Sequence, residues 1–408
     1  MRGARAGDCD STATRGAGRV IGTAVAENQP GSGSQNRMNE ADTILGELAA
    51  RSRGLMRPTL DGRPGRGIGE EAFGALALDL FAAQFAHNPA YRRLCQYRGV
   101  APAKVTSWRG IPAVPTSAFK ECELTCLSPE RRERVFYSSG TTGQRPSRHF
   151  HDAQSLALYE ASVWPWFAEH LLPESGGPLP ALVALTPPPA LAPHSSLVHM
   201  LATVGREAGE VAFLGGIDPE GAWELSGERV LAAVTGKAAA GPVLILGTAF
   251  NFVHWLDYLA AGGVRLRLPA GSRVMETGGY KGRSRVVPKA ELHAAITDRL
   301  GVARECIVCE YGMSELGSQA YDGVAGRGGP GGGRLGFPPW ARAVVVSPET
   351  GAEVAEGETG LIRVFDLANV WSVMAVQTED LGGRRGAGFE LLGRATPAEP
   401  RGCSLQSI

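Results

Sequence analysis

A chain of 408 residues, 43% hydrophobic and 20% charged, has the makeup of a large soluble globular protein with a substantial core. Lys plus Arg equals Asp plus Glu at 41 each, so the charge balance gives no electrostatic footprint for nucleic acid or an anionic membrane, and neither partner is expected. Cysteines at 9, 95, 122, 126, 306, 309 and 403 are odd in number and scattered, which argues against a secreted disulfide framework, and no apolar run is long enough to span a bilayer or serve as a signal; a reducing cytoplasm is the expected compartment.

Residues 1–65 are rich in Gly, Arg, Ala and Ser and read as a mostly disordered extension, with one short helix expected over 40–51, where Ile44, Leu45 and Leu48 share a face. Met38 is an alternative start. From 69 to 97 the residues Phe73, Leu76, Leu78, Leu80, Phe81 and Phe85 recur at helical spacing until Asn88-Pro89 ends or interrupts the helix. The middle alternates β-type runs (182–185, 243–246, 304–309) with helical patterns such as 254–261 and 289–300. That alternation predicts an α/β fold with a largely parallel sheet. In such sheets ligands bind outside the carboxyl ends of strands, so the loops after Phe136, Leu246 and Cys309 are expected to converge on one crevice. The Gly-rich stretch 323–336 reads as a mobile loop, and 343–392 as short strands joined by turns, a β-rich C-terminal part.

The run Phe136-Tyr137-Ser138-Ser139-Gly140-Thr141-Thr142-Gly143-Gln144 carries the most chemistry. Its glycines let backbone N–H groups approach an anion, and its hydroxyls can donate to phosphate oxygens or reach a bound Mg²⁺. A Walker-type loop is excluded because Arg145-Pro146-Ser147 follows where Gly-Lys-Ser/Thr is required, and Gly312-Met313-Ser314-Glu315-Leu316 lacks the second glycine of a serine-hydrolase elbow. Four further stretches fit a nucleotide site. Glu310-Tyr311-Gly312-Met313-Ser314-Glu315 follows an apolar strand and offers the Tyr311 ring for stacking, a glycine for close approach and Glu315 for Mg²⁺. In Thr378-Glu379-Asp380-Leu381-Gly382, Asp380 stands before an expected turn, where it could accept two ribose hydroxyls. Glu276-Thr277-Gly278-Gly279-Tyr280-Lys281-Gly282-Arg283 is a glycine-flanked loop whose cations could meet adenine and phosphate, and Gly393-Arg394 precedes Arg401-Gly402-Cys403, a tail thiol with a cation nearby.

In order along the chain, the motifs at 137–144, 276–283, 311–315, 378–381 and 401–405 resemble the acyl-protein synthetase family, the long-chain fatty acid–luciferin component ligases, within the adenylate-forming enzymes. The resemblance runs from about residue 69 to the C-terminus. It implies an adenylation domain over 66–393, a tail 394–408 in place of a full mobile C-terminal domain, and a two-step reaction. A carboxylic acid, by resemblance a fatty acid, attacks the α-phosphate of ATP to give an acyl-adenylate, and a cysteine then takes the acyl group as a thioester. By the same resemblance Cys403 is the acyl acceptor, and the group passes on to a reductase or other acceptor protein.

Ser138, Ser139, Thr141 and Thr142, with Gly140 and Gly143, are then expected at the phosphates, Gly278 and Gly279 near the adenine, Glu315 at Mg²⁺ and Asp380 at the ribose. No lysine follows Lys289, whereas most adenylating enzymes supply one from the C-terminal domain. This leaves Lys281, Arg145, Arg148 and Arg394 as candidates to offset charge, Lys281 first. Cys306 and Cys309 have zinc-knuckle spacing but lie in an apolar run, so core thiols are expected. His149 and His151 share one strand face near the hydroxyl loop, His194 and His199 are possible pocket residues, and Trp164, Trp166, Phe250, Phe252 and Trp255 are a possible acyl channel, with core packing the alternative. Two rival functions stay open: a ligase delivering the acyl group to coenzyme A, which leaves Cys403 idle, and a non-catalytic acyl-binding subunit.

Overall fold

The computed structural model describes residues 32–57, 68–138, 145–173, 179–278, 285, 287–327 and 333–395, with side chains from residue 40 onward. The chain divides into units 1–40 and 41–408, and the second carries the sheets and the site described below. Its center is a six-stranded sheet. Ala181–Ala184, Val211–Phe213, Val243–Thr248, Arg273–Thr277 and Ile307–Tyr311 run parallel, and Ala320–Tyr321 adds antiparallel at one edge. Across the sheet the order is 320–321, 307–311, 273–277, 243–248, 181–184, 211–213.

Alternate residues serve opposite faces. Val183, Val243, Ile245, Val274 and Ile307 face helices Gly227–Ala238, Ala249–Ala261 and Lys289–Leu300. Leu182, Ala184, Leu244, Leu246, Met275 and Val308 face helices Ala153–Leu171 and Ser196–Ala208. Covering both faces is what makes these strands apolar throughout, and it is why they are readable as short apolar runs. From 181–184 the chain passes through helix Ser196–Ala208 to one neighbour, 211–213, then returns to 243–248 on the other side. The carboxyl ends of 181–184 and 243–248 therefore flank a topological switch, where open α/β sheets bind ligands.

A second sheet holds the antiparallel strands Ala341–Val346, Thr359–Asp366, Ala375–Arg385 and Gly388–Arg394, with Arg334–Leu335 beyond the last and Val114–Pro115 pairing parallel to 375–385. Val344, Ile362, Val364, Val376 and Phe389 pack with Leu45, Phe73, Leu80 and Phe81 of helices Ser32–Met56 and Glu70–His87. Gln84 pins this arrangement. Wholly buried, it donates to the carbonyls of Asn369 (2.6 Å) and Val370 (3.1 Å) and accepts from Met374 N (3.1 Å). Gln84→Leu strands these groups without water and should lower stability by about 2 kcal/mol in urea unfolding.

Several expectations change. The helix Ser32–Met56 is longer than the short one expected at 40–51, and Leu45, Leu48 and Met56 are buried in the core, so packing starts well before residue 66. The helix expected at 254–261 begins at Ala249, because Thr248 and Asn251 form a reciprocal cap at the strand end. Residues 304–306 are a 3₁₀ turn, and the strand starts at Ile307. Of the stretch 323–336, residues 328–332 lie outside the described residues, while the remainder closes through bridges Val324↔Arg327 and Tyr321↔Gly336. Trp164 and Trp166 pack on one face of the central sheet and Phe252 and Trp255 on the other, so these aromatics do not line one channel. Helical spacing fixes which residues share a helix face, but not which side of a sheet that helix covers.

Candidate functional site

The strands that flank the hydroxyl run pair with each other. Arg134–Tyr137 pairs antiparallel with Arg148–His151, and the connecting residues include Ser139, Gly140, Thr141, Thr142 and Gly143, which lie outside the described residues. Ser138 is described, and its backbone and side chain close the hairpin neck: Ser138 N donates to Ser147 O (3.3 Å) and Ser138 Oγ accepts from Ser147 N (2.9 Å).

From that neck a line of polar groups leads to the loop after strand Ile307–Tyr311. Ser147 Oγ lies 3.4 Å from Ser314 Oγ, and Ser314 Oγ donates to Glu315 Oε2 (2.9 Å). His149 adds a second tie, its Nδ1–H donating to the Ser314 carbonyl (2.7 Å). Burial holds the His149 pKa down to about 4, so the ring is neutral and its tautomer is set by that carbonyl. Asn369 Nδ2 donates to the Glu315 carbonyl (2.8 Å), and Asp366 accepts from Gly317 N and Ser318 Oγ (2.8 Å each). The loop with Glu315 is thus held from the hairpin on one side and from the antiparallel sheet on the other. The Glu315 carboxylate is buried and keeps Oε2 oriented by a hydroxyl.

Tyr311, at the end of the same strand, reaches the antiparallel sheet. Its hydroxyl donates to Asp380 Oδ2 (2.8 Å), and Arg394 Nε lies 3.5 Å from Asp380 Oδ1. Burial raises the Tyr311 phenol well above its usual pKa, and the Asp380 charge adds to this, with Glu315 near enough to contribute. The ring itself is buried, edge-on to Phe389 (5.3 Å) and Phe337 (6.2 Å). Asp380 corrects an expectation: it lies within strand Ala375–Arg385, opposite Arg394, and not before a turn. A register shift between Leu381 and Gly382 supplies the irregularity that the Leu-Gly pair suggests in sequence.

Gly278 follows strand Arg273–Thr277 directly, beside the end of the 307–311 strand, where Thr277 and Glu310 are register partners. Gly279, Lys281 and Cys403 lie outside the described residues. Among the other cations proposed from sequence, Arg148 pairs with Glu123 (3.4 Å), and Arg394 is largely exposed at its contact with Asp380. His194 Nδ1–H donates to the Val135 carbonyl (3.0 Å) and His199 meets Glu160 (2.9 Å), so both support the hairpin and its neighbouring helix. Cys309 is buried and Cys306 packs against the core under helix Lys289–Leu300. A cavity of about 250 Å³, lined in part by Leu256, Asp257, Leu292 and Arg299, lies on the opposite side of the central sheet from helix Ala153–Leu171 and shares no residue with this site.

The structure therefore brings Ser138, Tyr311, Glu315, Asp380, Arg394 and Gly278 to one end of the sheet. Sequence reasoning did not single out Ser147, Asn369 or Asp366, whose partners are far away in the chain. The alternation of His149 and His151 was the only signal for the tie at Ser314. Mg²⁺ fits the donor set in one way. A lone oriented carboxylate with hydroxyls nearby suits an ion that keeps waters and takes its other oxygens from phosphates, and the described residues contain no group of three or more acids, histidines or cysteines able to hold a metal.

No family model and no curated protein matches the sequence. Crystal structures of 2-hydroxyisobutyryl-CoA ligase share the fold. An open conformation in complex with 2-HIB-AMP and CoA aligns with a TM-score of 0.57 at 13% identity, over 79% of this chain and 74% of that one. A postadenylation state with R3-HIB-AMP gives 0.58 at 13% over 79% and 68%, and a thioesterification state with 2-HIB-AMP and CoA gives 0.53 at 15% over 90% and 72%. At these identities the likeness is one of fold: the α/β architecture is shared with these ligases. No helix among the described residues is long and apolar enough to cross a membrane.

Proposed function

We propose that this chain uses ATP to activate a carboxylic acid as an acyl-adenylate and then passes the acyl group to a thiol, Cys403 of its own tail. The observation that carries the first half is the polar line Ser138–Ser147–Ser314–Glu315, which joins the neck of the hairpin, where the hydroxyl-rich run begins, to a carboxylate suited to a metal. A hairpin and a strand end far apart in sequence are tied at the point where a triphosphate needs both donors and a cation.

In this reading residues 138–143 hold the phosphates, with Gly278 and Gly279 beside the base. Glu315 holds Mg²⁺, which supplies charge neutralisation to the phosphates when bound. Asp380, oriented by Tyr311, accepts the ribose hydroxyls, and Arg394 and Lys281 are the cations that offset charge. Attack of a carboxylate oxygen on the α-phosphorus expels pyrophosphate. Both reactants are anionic, so this step depends on positioning and on fixed donors more than on proton transfer. The Cys403 thiolate then attacks the acyl carbonyl, AMP leaves, and a thioester remains on the tail 394–408 for an acceptor protein such as an acyl reductase. Related folds bound to CoA make coenzyme A the rival acceptor.

Incubation with ATP, Mg²⁺ and a panel of acids should release pyrophosphate only when acid is present. Intact-mass analysis should then show an acyl adduct that is lost in Cys403→Ser while pyrophosphate release persists. An adduct surviving in Cys403→Ser, or acyl-CoA forming with no adduct at all, would remove the tail thiol from the mechanism. No acid-dependent pyrophosphate from any acid would leave the acyl-binding subunit.

A further inference from the structure

Glu310 has no part in the site as described, yet it is a wholly buried carboxylate one residue from Tyr311. Strand alternation turns the two apart. Tyr311 reaches Asp380, whereas Glu310 follows Val308 onto the face covered by helix Ala153–Leu171, where its charge is felt by the Tyr159 and Tyr321 phenols. The edge strand sets Tyr321 directly opposite Glu310, so their side chains are neighbours on one face. Thr277, its register partner on the strand on the other side, brings a hydroxyl close enough to favour the charged form of the Glu310 carboxylate.

Two features are out of place for a structural acid. Tyr321 Oη is buried with no hydrogen-bond partner, although a carboxylate stands beside it, and no ion pair among the described residues reaches Glu310. Buried groups left this way cost stability unless something else completes them. The carboxylate lies against the loop of the site at Gly312: a Cβ there would fall 2.4 Å from Glu310 Oε1, so the glycine lets Glu310 sit close beside the loop that carries Ser314 and Glu315.

We propose that Glu310 and Tyr321 form the polar end of the acyl pocket, and that the acid activated here carries a hydrogen-bond donor, a hydroxyl or an ammonium group, on its acyl body. This inference rests on the acid-activation reading above. Glu310 accepts from the donor, and Tyr321 Oη supplies the second contact. A plain hydrocarbon chain would leave Tyr321 Oη without a partner and Glu310 with no donor from the ligand, which a site built around polar contacts discriminates against strongly.

Paired acids that differ only by a hydroxyl or amino group test this, with two readouts. In pyrophosphate release the wild type should favour the donor-bearing member of a pair by at least roughly tenfold in kcat/KM, and Glu310→Leu should erase or invert that preference. Glu310→Gln separates the two donors, because an amide still accepts from a hydroxyl but no longer balances an ammonium. Calorimetric binding of the acids without ATP reads the pocket apart from the chemistry. Donor-selective binding that disappears in Glu310→Leu, with no pyrophosphate from any acid, would support the pocket and sink the adenylation reading. Equal handling of both members of every pair by the wild type, or a preference unchanged in both variants, overturns the assignment of Glu310.

Discussion

Glu315→Gln should cut acid-dependent pyrophosphate release by roughly a hundredfold to a thousandfold and leave the fold intact. Glutamine keeps the side-chain volume and can still accept from Ser314 Oγ, the contact that orients Oε2 at 2.9 Å. The main chain is secured separately, through Asn369 to the Glu315 carbonyl and through Asp366 to Gly317 and Ser318. What the substitution removes is one negative charge at the point where a cation would bridge protein and phosphates, and removal of one preorganised electrostatic partner typically costs a few kcal/mol of barrier. The loss should be partly recovered at high Mg²⁺ if the carboxylate acts by holding the ion. Thermal unfolding of the variant within a few degrees of the wild type, together with the rate loss, supports this role. A rate within about fivefold of wild type at every Mg²⁺ concentration would remove Glu315 from it.

The expectation for Glu315 came from a sequence pattern, and so did most of the fold. The parallel strands are short apolar runs because helices cover both their faces, and the helix 289–300 was visible from its spacing. The tertiary links were not visible. Ser147 and Ser314 meet across 167 positions, and Gln84 reaches Asn369 across 285, so no local period could announce either contact. Asp380 illustrates a different gap. Asp-Leu-Gly is good turn chemistry, but pairing with 359–366 and 388–394 kept the segment extended and reduced the glycine to a register shift. The aromatic channel failed for a third reason, since packing side is settled only when the sheet order is known.

Glu310 makes a prediction about stability that is independent of any substrate. Burial raises its pKa from 4.5 to about 7; the Thr277 hydroxyl opposes the shift and the Glu276 charge adds to it. A folded-state pKa above the unfolded value means that the native protein binds the proton more tightly. The stability this contributes is fully present below about pH 4.5 and is lost as pH rises through about 7, amounting to about 3 kcal/mol. Asp366, raised to about 6 by burial, slopes the same way, whereas His149, held down to about 4, loses stability as pH falls below its unfolded value. These opposing groups make the wild-type profile hard to read alone, but they are common to wild type and Glu310→Gln and cancel in the difference. Glutamine cannot ionise, so the variant should be more stable than wild type at pH 8 by up to about 3 kcal/mol, with the gap closing toward pH 4.5. Urea unfolding at pH 4.5, 6, 7 and 8 measures that difference directly. A gap that stays flat with pH would mean that folding leaves the Glu310 pKa unraised, and one that widens toward acid would mean that the folded protein stabilises its charge.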